Sequence, residues 1–148
     1  AGFGARGAGV HLSGTRCCIA EAQAKRGRYE DALATLDEAL ALAERTGEHL
    51  WQAELCRVKG EMFLAQSAAA RTAADPQAES CFLQAIEVAR RQQAKSWELR
   101  ATTSLARLWR AQERVDEARE MLAEVYGWFS EGFGTLDLIE AKALLDAL

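Results

Sequence analysis

Four cysteines, two histidines and a short run of glycines are the first residues whose types suggest chemistry. Cys17 and Cys18, with His11 nearby, have the makings of a thiol nucleophile and its base. His11 falls in a stretch without helical period, however, and nothing there would hold an imidazole against a thiol. A structural metal site wants CxxC pairs or His at ligand spacing. Cys17, Cys18, Cys56 and Cys81 form no CxxC, and neither His11 nor His49 stands at such spacing from them. All four read as buried free thiols in a reducing cytoplasm. Gly2, Gly4 and Gly7 spell GxGxxG, but that fingerprint opens directly after a strand, and none precedes Gly2 here. Glu113, Asp116 and Glu117 gather where a helix begins, and Glu48 beside His49 does the same, so both sets answer the helix dipole rather than an acid–base mechanism. No catalytic residue, metal or cofactor is expected.

Any remaining chemistry is recognition, and composition limits its kind. The chain has 148 residues, 49% apolar and 27% charged, which suits one globular domain. Its net charge of −4 disfavours nucleic acid as a partner. No apolar run reaches membrane-spanning length and no secretory signal opens the chain, so a cytoplasmic location is expected. The missing initial Met suggests a chain that is processed, tagged or cut from something longer. Between Arg90 and Arg119 eight basic residues face four acidic ones. That surplus is either a solvated helix surface or a groove for an acidic segment.

Good helix formers dominate, and Pro76 is the one proline. Residues 1–13 are expected as an irregular Gly-rich leader and residues 14–148 as one helical domain. Helices are predicted over Thr15–Lys25, Tyr29–Arg45, Glu48–Gln66, Gln77–Gln93, Glu98–Trp109 and Asp116–Phe129, with a seventh after Thr135. Gly27 and Gly47 should end the first two, Asp75-Pro76 should start the fourth and Ser96 should cap the fifth. Leu50 is a predicted core residue of the third helix. Leu136, Ile139, Leu144 and Leu145 are assigned to the seventh.

One pattern recurs in the second, fourth and sixth helices: a small residue, a large apolar one four positions on, then a small or β-branched one three further. The instances are Ala32, Leu36, Ala39; Ala78, Phe82, Ala85; and Ala118, Leu122, Val125, offset by 46 and 40 residues. The small residue lets two helices of a hairpin approach, and the large one fills the gap to the next hairpin. A lone hairpin cannot bury both faces, so an all-α superhelix of about three stacked hairpins plus a C-terminal capping helix is predicted.

This pattern resembles the tetratricopeptide repeat. Gly27, Tyr29, Ala32, Leu36 and Ala39 match that family's turn glycine, tyrosine, alanine, aromatic and alanine places. Gly60 and Phe63, and then Leu105, Ala106 and Trp109, match the first helix of later repeats. Ile19, Ala20 and Gln23 depart from it, and the offsets exceed the usual repeat of about 34 residues. The segments 90–100 and 103–109, with Tyr126-Gly127-Trp128-Phe129, Gly132-Phe133, Asp137-Leu138 and 141–145, look like the tetratricopeptide tail of bacterial signalling proteins that carry a class III adenylate/guanylate cyclase and an ATPase module. No Walker motif or cyclase segment is present here, so the resemblance implies an accessory, non-catalytic regulatory region.

In arrays of that family the first helix of each hairpin lines a concave face. Aligning on Gly60 and Ala106 places Glu54, Arg57, Glu61 and Leu64, then Arg100, Thr103, Arg107 and Arg110, on that face. The resemblance thus implies a protein or peptide partner, with acidic character if the arginines hold its carboxylates. Two other expectations stand beside it: a small-molecule-sensing repeat domain, which needs an enclosed pocket, and self-association, with a homodimer through the N-terminal hairpin.

Overall fold

The computed structural model describes residues 3–72 and 76–148, with side chains of the first helix described from Ser13 onward. It is all-helical: α1 Phe3–Lys25, α2 Tyr29–Thr46, α3 Gln52–Ala70, α4 Pro76–Arg91, α5 Lys95–Ala111, α6 Val115–Gly127 and α7 Leu136–Ala147. Consecutive helices pack on one another, as a helical repeat requires. The odd-numbered helices also touch in series, α1 to α3, α3 to α5 and α5 to α7.

All nine positions of the recurring pattern are buried. On α2, Ala32, Leu36 and Ala39 join Cys17 and Ala20 of α1 and Leu55, Val58 and Met62 of α3 in one cluster. Phe82, Leu99, Leu105, Leu122 and Leu138 anchor a larger cluster that runs from α3 to α7. Leu40 packs against both, so the apolar interior is continuous. The tightest point lies between α3 and α4. A Cβ built on Gly60 would meet two ring carbons of Phe82 at 2.6 and 2.8 Å. Glycine is therefore required there for approach, whereas Gly27 and Gly47 are required for backbone angle. Both end their helices in the left-handed region, at φ 75° and 72°.

Several boundaries differ from the sequence expectation. Helix α1 begins at Phe3, within the stretch expected to be irregular. No proline interrupts it, and each added residue gains a backbone bond while a glycine costs only about 1 kcal/mol. Helix α3 begins at Gln52 rather than Glu48. The amides of Gln52 and Leu55 bond back to the carbonyls of His49 and Trp51, making a turn that leaves Leu50 58% exposed, outside the core. Helix α3 also runs on past its predicted end at Gln66 through Ser67–Ala70, where three consecutive alanines favour helix. It stops where Arg71 takes a left-handed φ of 54°. Helix α5 starts one residue before Ser96, with Ala94 at its N-cap position. Asp75, expected to cap α4, lies outside the described residues.

Two carboxylates, buried Glu98 and half-buried Glu79, join the later helices. Glu98 of α5 accepts hydrogen bonds from Arg90 of α4 at 2.8 Å and Lys95 at 2.9 Å. Burial alone would raise its pKa, but those two donors hold it below the ordinary value of 4.5. Glu79 of α4 accepts from the Trp109 indole and the Arg114 guanidinium, both at 2.9 Å. Arg114 in turn lies over the Trp109 ring, 4.3 Å from its centroid.

Two predictions follow from this packing. Gly60→Ala should cost about 1–3 kcal/mol in urea unfolding, because the Phe82 ring must shift. Gly127→Ala, where a Cβ meets nothing within 4 Å, should gain about 0.4–1 kcal/mol. Equal effects of both changes would contradict the close approach. Glu98 has a lowered folded pKa, so its stabilisation is complete above 4.5 and is lost as pH falls through the folded value. Glu98→Gln should therefore be less stable than the wild type at neutral pH, and the two stability curves should converge in acid. A constant separation between them would refute this role.

Candidate functional site

The helical period puts Glu54, Arg57 and Glu61 on one face of α3, and Arg100, Thr103, Arg107 and Arg110 on one face of α5. Contact between α3 and α5 brings those faces together, and α7 follows on the far side of α5. Arg57, Arg100, Thr103, Ser104 and Arg107 share one small cleft of about 90 Å³ with Asp137 and Glu140 of α7.

Its charges are already arranged in pairs. Glu54 is 5% exposed and would be costly to bury alone. Arg57 grips it through two parallel bonds, Nε to Oε2 at 2.9 Å and Nη2 to Oε1 at 2.8 Å. Arg100 adds a third contact from α5, Nη1 to Oε1 at 2.9 Å. Desolvation would lower the Arg57 pKa, but the Glu54 carboxylate outweighs it and raises it. Glu61 lies 3.5 Å from Arg57 and accepts a 2.7 Å bond from the Ser104 hydroxyl. Toward α7, Arg100 Nε stands 3.4 Å from Asp137, and Arg107 Nη2 donates to Glu140 at 3.1 Å. Four carboxylates thus face three guanidiniums, and the groove is not a bare cationic strip.

The predicted face is therefore brought together in part. Glu54, Arg57, Glu61 and Arg100 form one network, while Arg107 pairs separately with Glu140 on the same cleft. Thr103 is buried, and its hydroxyl donates to the Leu99 carbonyl at 2.7 Å, so it is turned toward its own helix rather than toward a partner. Leu64 is half-buried against the main core. Arg110 stands exposed near the end of α5. Sequence reasoning missed Ser104, Asp137 and Glu140. Treating α7 as a fourth first-type helix would have found the two acids, because their three-residue spacing puts them on one face.

Among the described residues no His, Cys, Asp and Glu group is arranged to hold a metal ion. Cys17, Cys56 and Cys81 are buried, whereas Cys18 is exposed, contrary to expectation; none of the four is in a disulfide. Burial pushes the Cys17 thiol up to about 12 and the Cys56 thiol to about 11, which makes both poor nucleophiles. His49 is exposed in the α2–α3 turn, where its carbonyl accepts the Gln92 side-chain amide. His11 lies outside the described side chains. Trp51 packs over Gly14 and lies 5.6 Å from Trp97, and Trp109 is buried, so three of the four indoles serve packing. Trp128 is exposed beside Lys95. Among the described residues no helix is long and apolar enough to cross a membrane.

Burial ranks the groove pairs. Glu54→Gln should cost about 1–3 kcal/mol, because it strips charge from a buried acceptor that two guanidiniums share. Glu140→Gln removes a pair that is about half exposed and should cost no more than about 1 kcal/mol. Chemical denaturation of both variants checks this order; a larger loss at Glu140 would reverse the assignment.

No family model matches the chain, and neither a curated protein nor a solved structure matches it.

Proposed function

We propose that this chain is a non-catalytic protein-interaction module, a tetratricopeptide-like solenoid of three helical hairpins with α7 as its cap. Its binding face is the groove across α3, α5 and α7, and its partner is a peptide or domain surface of acidic character. By resemblance in the second half of the chain, it serves as the regulatory region of a larger cytoplasmic bacterial signalling protein.

One observation carries most of this reading. The faces that the repeat alignment assigns to a common surface come together around one cleft, with Arg57, Arg100 and Arg107 converging on it. Each guanidinium has five donors, and an ion pair with one carboxylate leaves some of them for a second acceptor. Arg107 is 50% exposed even when paired. Arg110 extends the same row by less than one helical turn. Burial raises the Cys17 and Cys56 thiol pKa values, which argues against a thiol nucleophile at either position.

The test is capture of native partners on immobilised protein. Replacing Arg100, Arg107 and Arg110 together with Ala should abolish capture. Arg100 also supports buried Glu54, so the Arg107→Ala, Arg110→Ala double variant must lower capture while keeping the wild-type melting temperature. Undiminished capture by both variants would reject the groove as the binding face.

A further inference from the structure

The last helix meets the groove in a particular way. Helix α7 is held by a narrow apolar stripe, Leu138, Ala141 and Leu144, all buried. Its opposite face is open, with Leu136 67% and Ile139 51% exposed. Half-buried Leu145 and Leu148 add to that stripe, and two ion pairs join α7 to α5. Asp137 reaches Arg100 and Glu140 reaches Arg107, and these arginines belong to the row that an acidic partner would use. Asp137 and Glu140 lie three residues apart on one helix face. They offer the groove two carboxylates, the same chemistry as an acidic ligand segment.

We propose that α7 is an internal competitor for the groove. Its Asp137 and Glu140 occupy Arg100 and Arg107 in the free protein, and an acidic partner binds by displacing them. This inference rests on the acidic-partner reading above. Occupancy of the groove and ionic docking of α7 then oppose each other, and by linkage each weakens the other to the same extent. Both pairs are exposed enough that the coupling is modest. Removing the two internal acids should tighten binding of an acidic segment about two- to tenfold. The coupling also falls with salt, because partly exposed charges are screened.

The experiment is an anisotropy titration of fluorescein-labelled octaglutamate with the full chain at low ionic strength. Four proteins are compared: wild type, Asp137→Asn with Glu140→Gln, Arg107→Ala with Arg110→Ala, and a charge control. The control, Glu87→Gln with Glu120→Gln, removes the same charge from exposed positions on α4 and α6. Tighter binding by the α7 variant than by the control, with binding lost in the arginine variant, supports the proposal. Equal affinities of the α7 variant and the control, with binding still dependent on the arginines, overturn the competitor role alone. No binding by any protein, or binding indifferent to the arginines, overturns the acidic-partner reading and this inference with it. Should the α7 variant fold poorly, amide exchange in wild-type α7 decides the matter. Saturating probe should accelerate it, and unchanged exchange overturns the proposal.

Discussion

A helix pair can approach closely only where one partner has almost no side chain. The structure depends on that steric rule at each hairpin. Gly60 shows it in its strictest form, since a single methyl group there would overlap the Phe82 ring. Ala32, Ala78 and Ala118 apply it more loosely, each fully buried on an even-numbered helix. Leu36, Phe82 and Leu122, one turn further on, fill the space left between units. Once these contacts are made, the odd-numbered helices are brought into series, and their remaining faces form a common surface.

Charge then secures what sterics arrange. Three carboxylates do so at three junctions: Glu54 between α3 and α5, Glu98 between α4 and α5, and Glu79 between α4 and the α5–α6 turn. Each receives at least two charged or indole donors, so none is left uncompensated. The groove extends this logic outward to Asp137 and Glu140, where exposure weakens the pairs. A gradient results, from fixed ions at Glu54 to exchangeable ones at Glu140, and it runs toward α7. Arg100 spans that gradient, pairing with buried Glu54 at the inner end and half-buried Asp137 at the outer.

Much of this architecture was legible in the sequence because helix periodicity is local. All nine recurring contact positions, the left-handed glycines at 27 and 47, and the order of seven helices are readable from residues within a few turns. Failures occurred where a non-local or cumulative effect decided the outcome. Leu50 looked like core until the turn at His49–Trp51 placed it in solvent. The alanines at 68–70 extend α3 through summed propensity beyond the predicted end at Gln66. The arginine row was visible as residues, but its state was not. Arg100 and Arg107 meet carboxylates 46 and 33 residues distant in the chain, and no local pattern records such a pairing. Thr103 lines the cleft, yet its hydroxyl donates to its own helix backbone, which no spacing in the sequence records.

Residue-resolved amide hydrogen exchange tests the stacked contacts most directly. If the small–large–small contacts join all the hairpins into one core, amides at 32–39, 78–85 and 118–125 should be protected together, with free energies of opening near that of global unfolding. Exchange of any one of these three segments at the rate of an unstructured peptide, while the others stay protected, would contradict the account.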